Sequence, residues 1–263
     1  MSTAAHAPQD APLRVEDRDG VRWIVLNRPK SKNGLTIPLV AELAARVAEA
    51  ADPAVRAVVL SGDNGAFCSG LDLKEAFSQP VDPEVSIEHF HDLIRGLRRL
   101  AKPTIAALDG AAAGFGADMA LAADLRLFSA RGALGERFVG IGLMPDGGGT
   151  YLLPRVVGAG RAMELLYTGR MVGAEEAERI GLANRVLPVE GFFEAVHAFA
   201  AELAKGPPLA YARIKAAVLQ SGGDLDAALA VERAGQLALL QTADFAEGVS
   251  AFLARRPPEF KGA

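Results

Sequence analysis

The sequence predicts an α/β protein in which a core of about 160 residues precedes a helical C-terminal part. Up to that point, uninterrupted apolar runs alternate with helical patterns, which is typical of a parallel sheet covered on both sides. Beyond it, helical periodicity continues and strand-forming residues are few. The chain has 263 residues, of which 50% are hydrophobic and 23% charged, so it can bury a substantial core and is not a disordered chain.

Four apolar runs, the first of them rich in β-branched residues, predict the strands of the core. They are Val21–Asn27, Arg56–Gly62, Pro103–Gly110 and Leu125–Ala130. Three helical patterns lie between them: one from Pro38 to near Ala51, a second over Val85–Ala101 and a short third over Ala117–Ala123. Proline is favoured in the first helical turn, which supports the start at Pro38.

Five segments with helical periodicity predict the C-terminal part. They are Gly160–Gly169, Ala174–Gly181, Gly191–Lys205, Pro207–Ser221 and Asp224–Leu253, with one possible short strand at Val186–Val189. Ala-rich faces such as LDAALAVERAGQLALLQ cover either the core or a neighbouring subunit, and the sequence leaves both open. Residues 1–12, rich in Ala, Pro and polar residues, are predicted to form a disordered tail.

Composition excludes several classes of function. A net charge of −4 and a pI near 5.7 argue against nucleic acid as the main partner. The single cysteine, Cys68, rules out an internal disulfide, and the four histidines lack zinc-site spacing, so no metal site is predicted. No secretory start and no apolar run of about 18 residues is present, so we expect no membrane association and a cytoplasmic location.

Two loops rich in small residues follow predicted strands. They span Gly65–Phe77 and Asp109–Asp124, and the second runs into a helix. Small residues permit close backbone approach, and a helix N-terminus presents unpaired N–H groups that bind phosphate or an oxyanion. Gly114 and Gly116 begin a G-x-G-x-x-G pattern, but position 119 is Met, which disfavours a dinucleotide site. Simple packing of the helix on the sheet remains an alternative.

With the motifs considered together and in order, the chain resembles the crotonase (enoyl-CoA hydratase/isomerase) superfamily from about Val15 to Lys261. The resemblance lies in LNRP, GAFCSGLDL, AKPTIAALDGAAAGFG, GLMPDGGGTYLLPRVVG, GRAMELLYTGR, AEEAERIGLANRV and EGVSAFLARRPPEFKG. It implies a spiral of β-β-α turns over residues 13–200. It also implies a helical region over residues 201–263 that assembles homotrimers, or dimers of trimers.

The resemblance implies an enzyme that binds acyl-CoA thioesters and stabilises an enolate-like anion. Coenzyme A enters as part of the substrate, and no tightly bound cofactor is expected. The main-chain N–H groups of Leu71 and Phe115 match the two oxyanion donors, each of which is typically worth about 2.7–4 kcal/mol in the transition state. Phe115 stands where many members have Gly, and its side chain is expected to narrow or reshape the pocket.

The acids distinguish between the reactions of the family. Hydratases use two glutamates; the first matches Asp118, one methylene shorter, and the second matches Phe138, which cannot transfer a proton. Glu136 lies two positions too early and receives little weight. Asp146 matches the catalytic aspartate of isomerases acting on unsaturated or ring-opened phenylacetate-type CoA esters.

Asp146 is therefore predicted to shuttle a proton, with Asp118 as an auxiliary or structural acid. Burial among Leu143, Met144 and other apolar residues is expected to raise its pKa. The alternative role for Asp146 is the N-cap of the following helix. Three other functions stay open: an enoyl-CoA hydratase, a non-catalytic acyl-CoA-binding protein, and an aryl-CoA dehalogenase with Asp146 as nucleophile. His91 and an aromatic residue at position 138 motivate the last of these.

The resemblance also implies a set of substrate contacts. They are Lys32, Ala66, Ser69, Gly70, Leu73, Lys74, His91, Phe138, Phe260 and Lys261. Lys32 and Lys74 match residues that meet the CoA phosphates, although ordinary solvated charges are an equal alternative. Phe260 and Lys261 match a segment that approaches the CoA of an adjacent subunit. His91, on a polar-looking helix, either lines the pocket or lies at the surface. Cys68 is predicted to be packed rather than nucleophilic, because no activating partner is evident.

Overall fold

The larger of two β-sheets forms the centre of the protein, which we describe from a computed structural model covering residues 11–78, 82–220 and 223–263. Its strand order is β1-β2-β3-β5-β7-β10; β1 is antiparallel to β2, and every other pair is parallel. The strands are β1 (Leu13–Arg18), β2 (Val21–Leu26), β3 (Ala57–Gly62), β5 (Thr104–Leu108), β7 (Leu125–Ser129) and β10 (Arg185–Leu187). In register, Leu60 pairs with Ile24 on one side and Ala106 on the other.

A smaller sheet lies beside the larger one and consists of very short strands in the order β4-β6-β8-β9. They are β4 (Ala66–Cys68), β6 (Ala111–Ala113), β8 (Ala133–Gly135) and β9 (Val172–Gly173). The first three are parallel. Because the carboxyl ends of parallel strands meet at one edge, the segments after Cys68, Ala113 and Gly135 come together there.

Eleven helices lie within the described residues. They are α1 (Ile37–Glu49), α2 (Leu73–Ser78), α3 (Pro83–Arg99), α4 (Phe115–Ala122), α5 (Gly149–Val157), α6 (Ala159–Thr168), α7 (Ala174–Arg179), α8 (Phe192–Ala204), α9 (Pro208–Gln220), α10 (Leu225–Leu239) and α11 (Ala243–Ala254). Helices α1, α3 and α4 bury their apolar sides in one cluster against the sheets. Helix α8 covers the opposite face, where Phe192, Val196, Ala200 and Ala204 repeat at four-residue spacing and are buried with Trp23.

The predicted strands and helices are confirmed within a few residues, including the short strand near Val186. Asp224–Leu253 is an exception, because the structure divides it into α10 and α11, which meet at 78°. Thr242 begins α11, since its hydroxyl accepts a hydrogen bond from the Phe245 N–H at 3.1 Å. The predicted boundary at residue 200 falls inside α8, a helix that packs on the core.

The N-terminal tail predicted for residues 1–12 lies outside the described residues except for its last two. The carbonyl groups of Ala11 and Pro12 accept hydrogen bonds from the side chain and main chain of Asn27. In the part of the chain that the structure describes, no single helix is long and apolar enough to cross a membrane. Helices α10 and α11 meet the length and composition limits only when the bent pair is taken as one.

Candidate active site

Leu71 is held at the carboxyl edge of the smaller sheet by a glycine turn. Gly70 has a φ of +89°, which favours glycine, and it follows strand β4. The Leu35 N–H donates to the Gly70 carbonyl and the Asp72 N–H to the Leu35 carbonyl, both at 2.8 Å. These bonds fix Leu71 between them, and its own N–H has no hydrogen-bond acceptor among the described residues. That N–H is available to a ligand.

Phe115 begins helix α4 directly beside this turn. Gly114 has a φ of +54°, and its N–H donates to the Gly135 carbonyl at 3.0 Å, which ties the start of the helix to strand β8. A Cβ on Gly116 would lie 2.5 Å from the Cys68 carbonyl oxygen, so α4 lies directly on β4. A Cβ on Gly70 would lie 3.4 Å from the Phe115 nitrogen. The Leu71 and Phe115 amides therefore belong to touching segments.

The Phe115 N–H also has no acceptor within the described chain. Two free amides in touching segments, one of them at a helix N-terminus, can stabilise a negatively charged oxygen. The Phe115 ring, which is expected to narrow or reshape the pocket, lies in the core. It is 2% exposed, its centroid is 4.4 Å from that of Phe90, and a Cβ on Gly147 would lie 2.7 Å from its Cε2. It fills the core beneath the turn that contains Asp146.

Asp146 is half-buried on that turn, and its Oδ1 is buried without a hydrogen-bond partner. It does not cap the following helix, because the N-cap of α5 is Gly148 and no side chain caps it. The structure therefore contradicts the N-cap alternative. Burial raises the pKa of Asp146, while its own main chain and the charge of nearby His91 lower it. His91 is half-buried and lies near enough for its charge to act on this acid.

The residues predicted to bury Asp146 do not do so. Leu143 is 57% and Met144 68% exposed, so both point away from the core. The turn is instead packed from below. A Cβ on Gly147 would lie 2.6 Å from the Asp118 Cβ and 2.7 Å from the Phe115 ring, which leaves room only for glycine. The residue after Asp146 therefore lies directly on α4.

Two further carboxyl groups lie under the turn. Asp118, on α4, is fully buried, and its Oδ2 accepts the Gly147 N–H at 3.0 Å. Burial raises the pKa of Asp118 to about 8; the Gly147 hydrogen bond opposes this shift, and the charge of Asp146 adds to it. Glu136, directly after β8, is 2% exposed, and burial, followed by the charges of Asp118 and Asp146, raises its pKa well above the usual range.

Sequence reasoning gave Glu136 little weight, because it lies two positions before the residue that matches the second hydratase acid. The sequence pattern gives no indication of its place, because Glu136 follows a strand of only three residues. Phe138 is buried as well, with its ring next to Gly114.

Substituting Gly149 with alanine tests the packing of these carboxyls. The new Cβ would lie 2.5 Å from Asp118 Oδ1 and 2.7 Å from Glu136 Oε1. We expect Gly149→Ala to lower the free energy of unfolding by about 1–3 kcal/mol. Gly160→Ala, in helix α6 with nothing within 4 Å of the new Cβ, is the matched control and is expected to be neutral or stabilising. Denaturant unfolding of both variants measures this, and equal stabilities would contradict the packing described.

An open cleft of about 1080 Å³ leads to Leu71. Ser69, Leu73 and Lys74 line it, as expected. Lys32 does not; it is exposed in a left-handed conformation, and Lys30 lines the cleft in its place. Arg28 in the cleft forms ion pairs with Asp72 and Glu75, whereas Lys30 and Lys74 have no acidic partner among the described residues. These two lysines are free to meet an anion.

The remaining predicted contacts lie further from the cleft. Ala66 is buried in β4, and its carbonyl accepts a hydrogen bond from the Asn33 side chain. The Phe260 ring packs near Gly248 beside α11, and the Lys261 N–H donates to Asp244 at 2.7 Å. These last two residues do not line the cleft of their own chain. Their predicted approach to the CoA of an adjacent subunit stays a prediction.

Cys68 is packed under the loop. Burial raises the pKa of its thiol to about 12, although a contact from the Gly70 N–H opposes the shift, so the thiol is protonated at neutral pH. A nucleophilic role would require a thiolate. Across the described ranges, no group of three or more His, Cys, Asp or Glu side chains is arranged to hold a metal ion.

The site thus contains two free amides, an acid on a glycine turn and a cleft with two lysines that lack an acidic partner within the described residues. The family profile described as enoyl-CoA hydratase/isomerase matches residues 16–263. The chain belongs to this family. It is an acyl-CoA-processing enzyme, and its mixed α/β fold with a helical C-terminal region is the crotonase fold predicted from the sequence.

Relatives in this family cover nearly the whole chain. A Rhodobacter capsulatus protein named "Probable enoyl-CoA hydratase" is 42% identical over 252 residues, which is 95% of this chain and 98% of that protein. The 1,2-epoxyphenylacetyl-CoA isomerase of Escherichia coli is 37% identical over 250 residues, covering 92% and 95%. The crystal structure of an enoyl-CoA hydratase from Bacillus anthracis has a TM-score of 0.91 at 33% identity, covering 96% and 100%.

Proposed function

We propose that this family member is an enoyl-CoA isomerase that moves a double bond, with Asp146 as the proton shuttle. The observation that supports this most is Asp146 itself, a half-buried acid with an unpartnered oxygen on the turn packed against the start of α4. Position 138, which matches the second acid of hydratases, is a buried Phe. An isomerase needs one base, because the proton taken from one carbon returns to another.

The proposed reaction has no net gain or loss of protons. The Asp146 carboxylate takes a proton from one carbon of the enoyl group, and the electron pair moves to the thioester carbonyl to form an enolate. The Leu71 and Phe115 N–H groups donate to that oxygen. The Asp146 carboxylic acid then returns the proton to a second carbon, the double bond reforms in its new position, and the enzyme is regenerated. No atom is gained or lost.

Coenzyme A is proposed to lie in the large cleft as the carrier of the acyl group, with Lys30 and Lys74 against its phosphates and no further cofactor. The name of the Escherichia coli relative makes a phenylacetate-type acyl group the first to test. We further propose a homotrimer or dimer of trimers formed through α10 and α11, where Phe252 is 83% and Leu253 76% exposed. Nucleic acid and membrane have no part in this proposal, and the proposed location is the cytoplasm.

Enoyl-CoA hydratase is the second candidate, because Asp118 and Glu136 add two carboxyls near Asp146. A hydratase pair must hold and deprotonate a water molecule. Here both carboxyls are closed off from solvent, at 0% and 2% exposure, and Asp118 already accepts the Gly147 N–H. We therefore favour isomerisation.

A panel of acyl-CoA esters, analysed by mass spectrometry and chromatography, separates the candidates. The panel includes crotonyl-CoA, 3-enoyl-CoA and phenylacetate-type esters. Isomerisation gives a new product of unchanged mass, and hydration adds the mass of water. Halide release from an aryl-CoA halide would indicate the dehalogenase alternative, in which Asp146 is a nucleophile. Tight binding without turnover across the panel would indicate a non-catalytic acyl-CoA-binding protein and contradict the proposal.

The pH dependence of the rate reports on Asp146. A base must be ionised to act, so kcat/KM is expected to fall as the pH drops through the pKa of Asp146. Burial raises that pKa, which places the acidic limb above the value of about 3.9 for a free aspartate. His91→Gln removes a charge that lowers the same pKa, so its limb is expected to move to higher pH. Profiles for both proteins measure this, and superimposed limbs would contradict the placement of His91.

A further inference from the structure

Two buried carboxyls meet at one glycine under the catalytic turn. The site where a Gly149 Cβ would stand is 2.5 Å from Asp118 Oδ1 and 2.7 Å from Glu136 Oε1. Both oxygens thus lie against the same face of Gly149, the first residue of α5. Asp118 Oδ1 and both Glu136 oxygens are buried and have no hydrogen-bond partner within the described chain.

An ionised Glu136 does not fit this site. A buried carboxylate without hydrogen bonds or a counter-ion loses its hydration without replacement, so such a group takes up a proton instead. The titratable groups around the site are Asp118 on α4, Asp146 on the turn and, near Asp146, His91 on α3. The two closest to Glu136 are acids, which add to the tendency of Glu136 to keep its proton.

A neutral carboxylic acid has an O–H that needs an acceptor, and the unpartnered Asp118 Oδ1 is the oxygen against the same glycine. We propose that Glu136 is a carboxylic acid at neutral pH and that its O–H donates a hydrogen bond to Asp118 Oδ1, so that the pair anchors the turn that holds Asp146. This hydrogen bond leaves Asp118 Oδ2 to accept the Gly147 N–H. Glu136 is then a positioning residue that acts through Asp118 and the turn.

The functional consequence rests on the proposed role of Asp146, whereas the protonation of Glu136 does not. Asp118 accepts a hydrogen bond from Gly147, the residue directly after Asp146. Loss of the Glu136 hydrogen-bond donor is therefore expected to make the position of Asp146 less well defined and to leave the thioester site unchanged. We expect Glu136→Gln, whose amide can still donate to Asp118, to keep kcat within about threefold. Glu136→Leu is expected to lower kcat by about tenfold or more with little change in KM.

Infrared spectroscopy of the wild-type enzyme containing glutamate labelled with ¹³C at its carboxyl tests the proton directly. Glu136 is the one buried glutamate of the described chain, which contains every glutamate of the sequence. At neutral pH we expect a C=O stretch of a protonated carboxylic acid that shifts with the label. It should disappear in Glu136→Gln and shift in Asp118→Asn, where an amide replaces the acceptor carboxyl. Glu190→Gln, at an exposed site, is the control and should leave the band unchanged.

Three results would overturn the proposal: only ionised carboxylate bands from labelled glutamate at neutral pH, a protonated band that survives Glu136→Gln, or a band unmoved in Asp118→Asn. The first result is measured on the wild-type enzyme, so the proposal can be contradicted even if a variant fails to fold. The spectra do not depend on turnover. An enzyme that proves to be a hydratase can still show the band, and an isomerase can lack it.

Discussion

Replacing Asp146 with asparagine is expected to lower kcat for double-bond migration by about 10²–10⁴-fold, because the only base proposed for the reaction is lost. Asparagine has nearly the same shape, so the turn should persist, and KM for the acyl-CoA ester should change little. Steady-state kinetics on the most active ester of the panel, with thermal unfolding of both proteins, measures the effect.

Asp92→Asn is the matched control for this variant. Asp92 is an exposed aspartate on α3 that pairs with Arg95 at 3.3 Å. The activity of Asp92→Asn is expected to equal that of the wild type. An Asp146→Asn enzyme that keeps its activity would remove Asp146 from the mechanism and favour the two buried acids instead.

Removing the Phe115 N–H is expected to have an effect of similar size. Phe115→Pro deletes the hydrogen, and proline is well tolerated at the first residue of a helix, which is the place Phe115 occupies in α4. Phe115→Ala deletes the same ring but keeps the N–H. We expect the kcat of Phe115→Pro to be roughly 10²–10³-fold lower than that of Phe115→Ala.

The comparison of these two variants separates packing from chemistry. Both lose the contact with Phe90, and removal of a buried Phe costs about 3–5 kcal/mol of stability. Unfolding measurements should therefore show comparable losses in the two proteins. Equal kcat values for folded Phe115→Pro and Phe115→Ala would exclude the Phe115 amide as an oxyanion donor.

The elements that the sequence predicts well are long apolar runs and helices with one regularly buried face. Strand β3 is a mostly apolar run buried along its whole length, and α8 repeats its buried residues every four positions. Strands β4, β6 and β8 have three residues each, AFC, AAA and ALG, too few for any alternation to stand out. Their pairing with one another decides their conformation. The end of α10 was missed for another reason, since apolar residues continue through the bend.

The site divides in the same way. The motif matches led to Leu71, Phe115, Asp118 and Asp146, because loop glycines and the proline-aspartate turn are visible in the sequence. The surroundings of Asp146 could not be derived from the sequence. Leu143 and Met144 are apolar and were expected to bury its carboxylate, but both side chains are exposed. Which acids lie under the turn depends on contacts between α4, β8 and α5, which are far apart along the chain. Glu136 became visible only when those contacts were known.

A crystal structure with a non-reactive acyl-CoA thioester is the measurement that tests the central claim most directly. We predict the thioester oxygen at about 2.7–3.1 Å from the main-chain nitrogens of Leu71 and Phe115, with the Asp146 carboxylate turned toward the carbons next to the carbonyl. A thioester oxygen bound away from both amides, or an Asp146 side chain directed into solvent, would contradict the account.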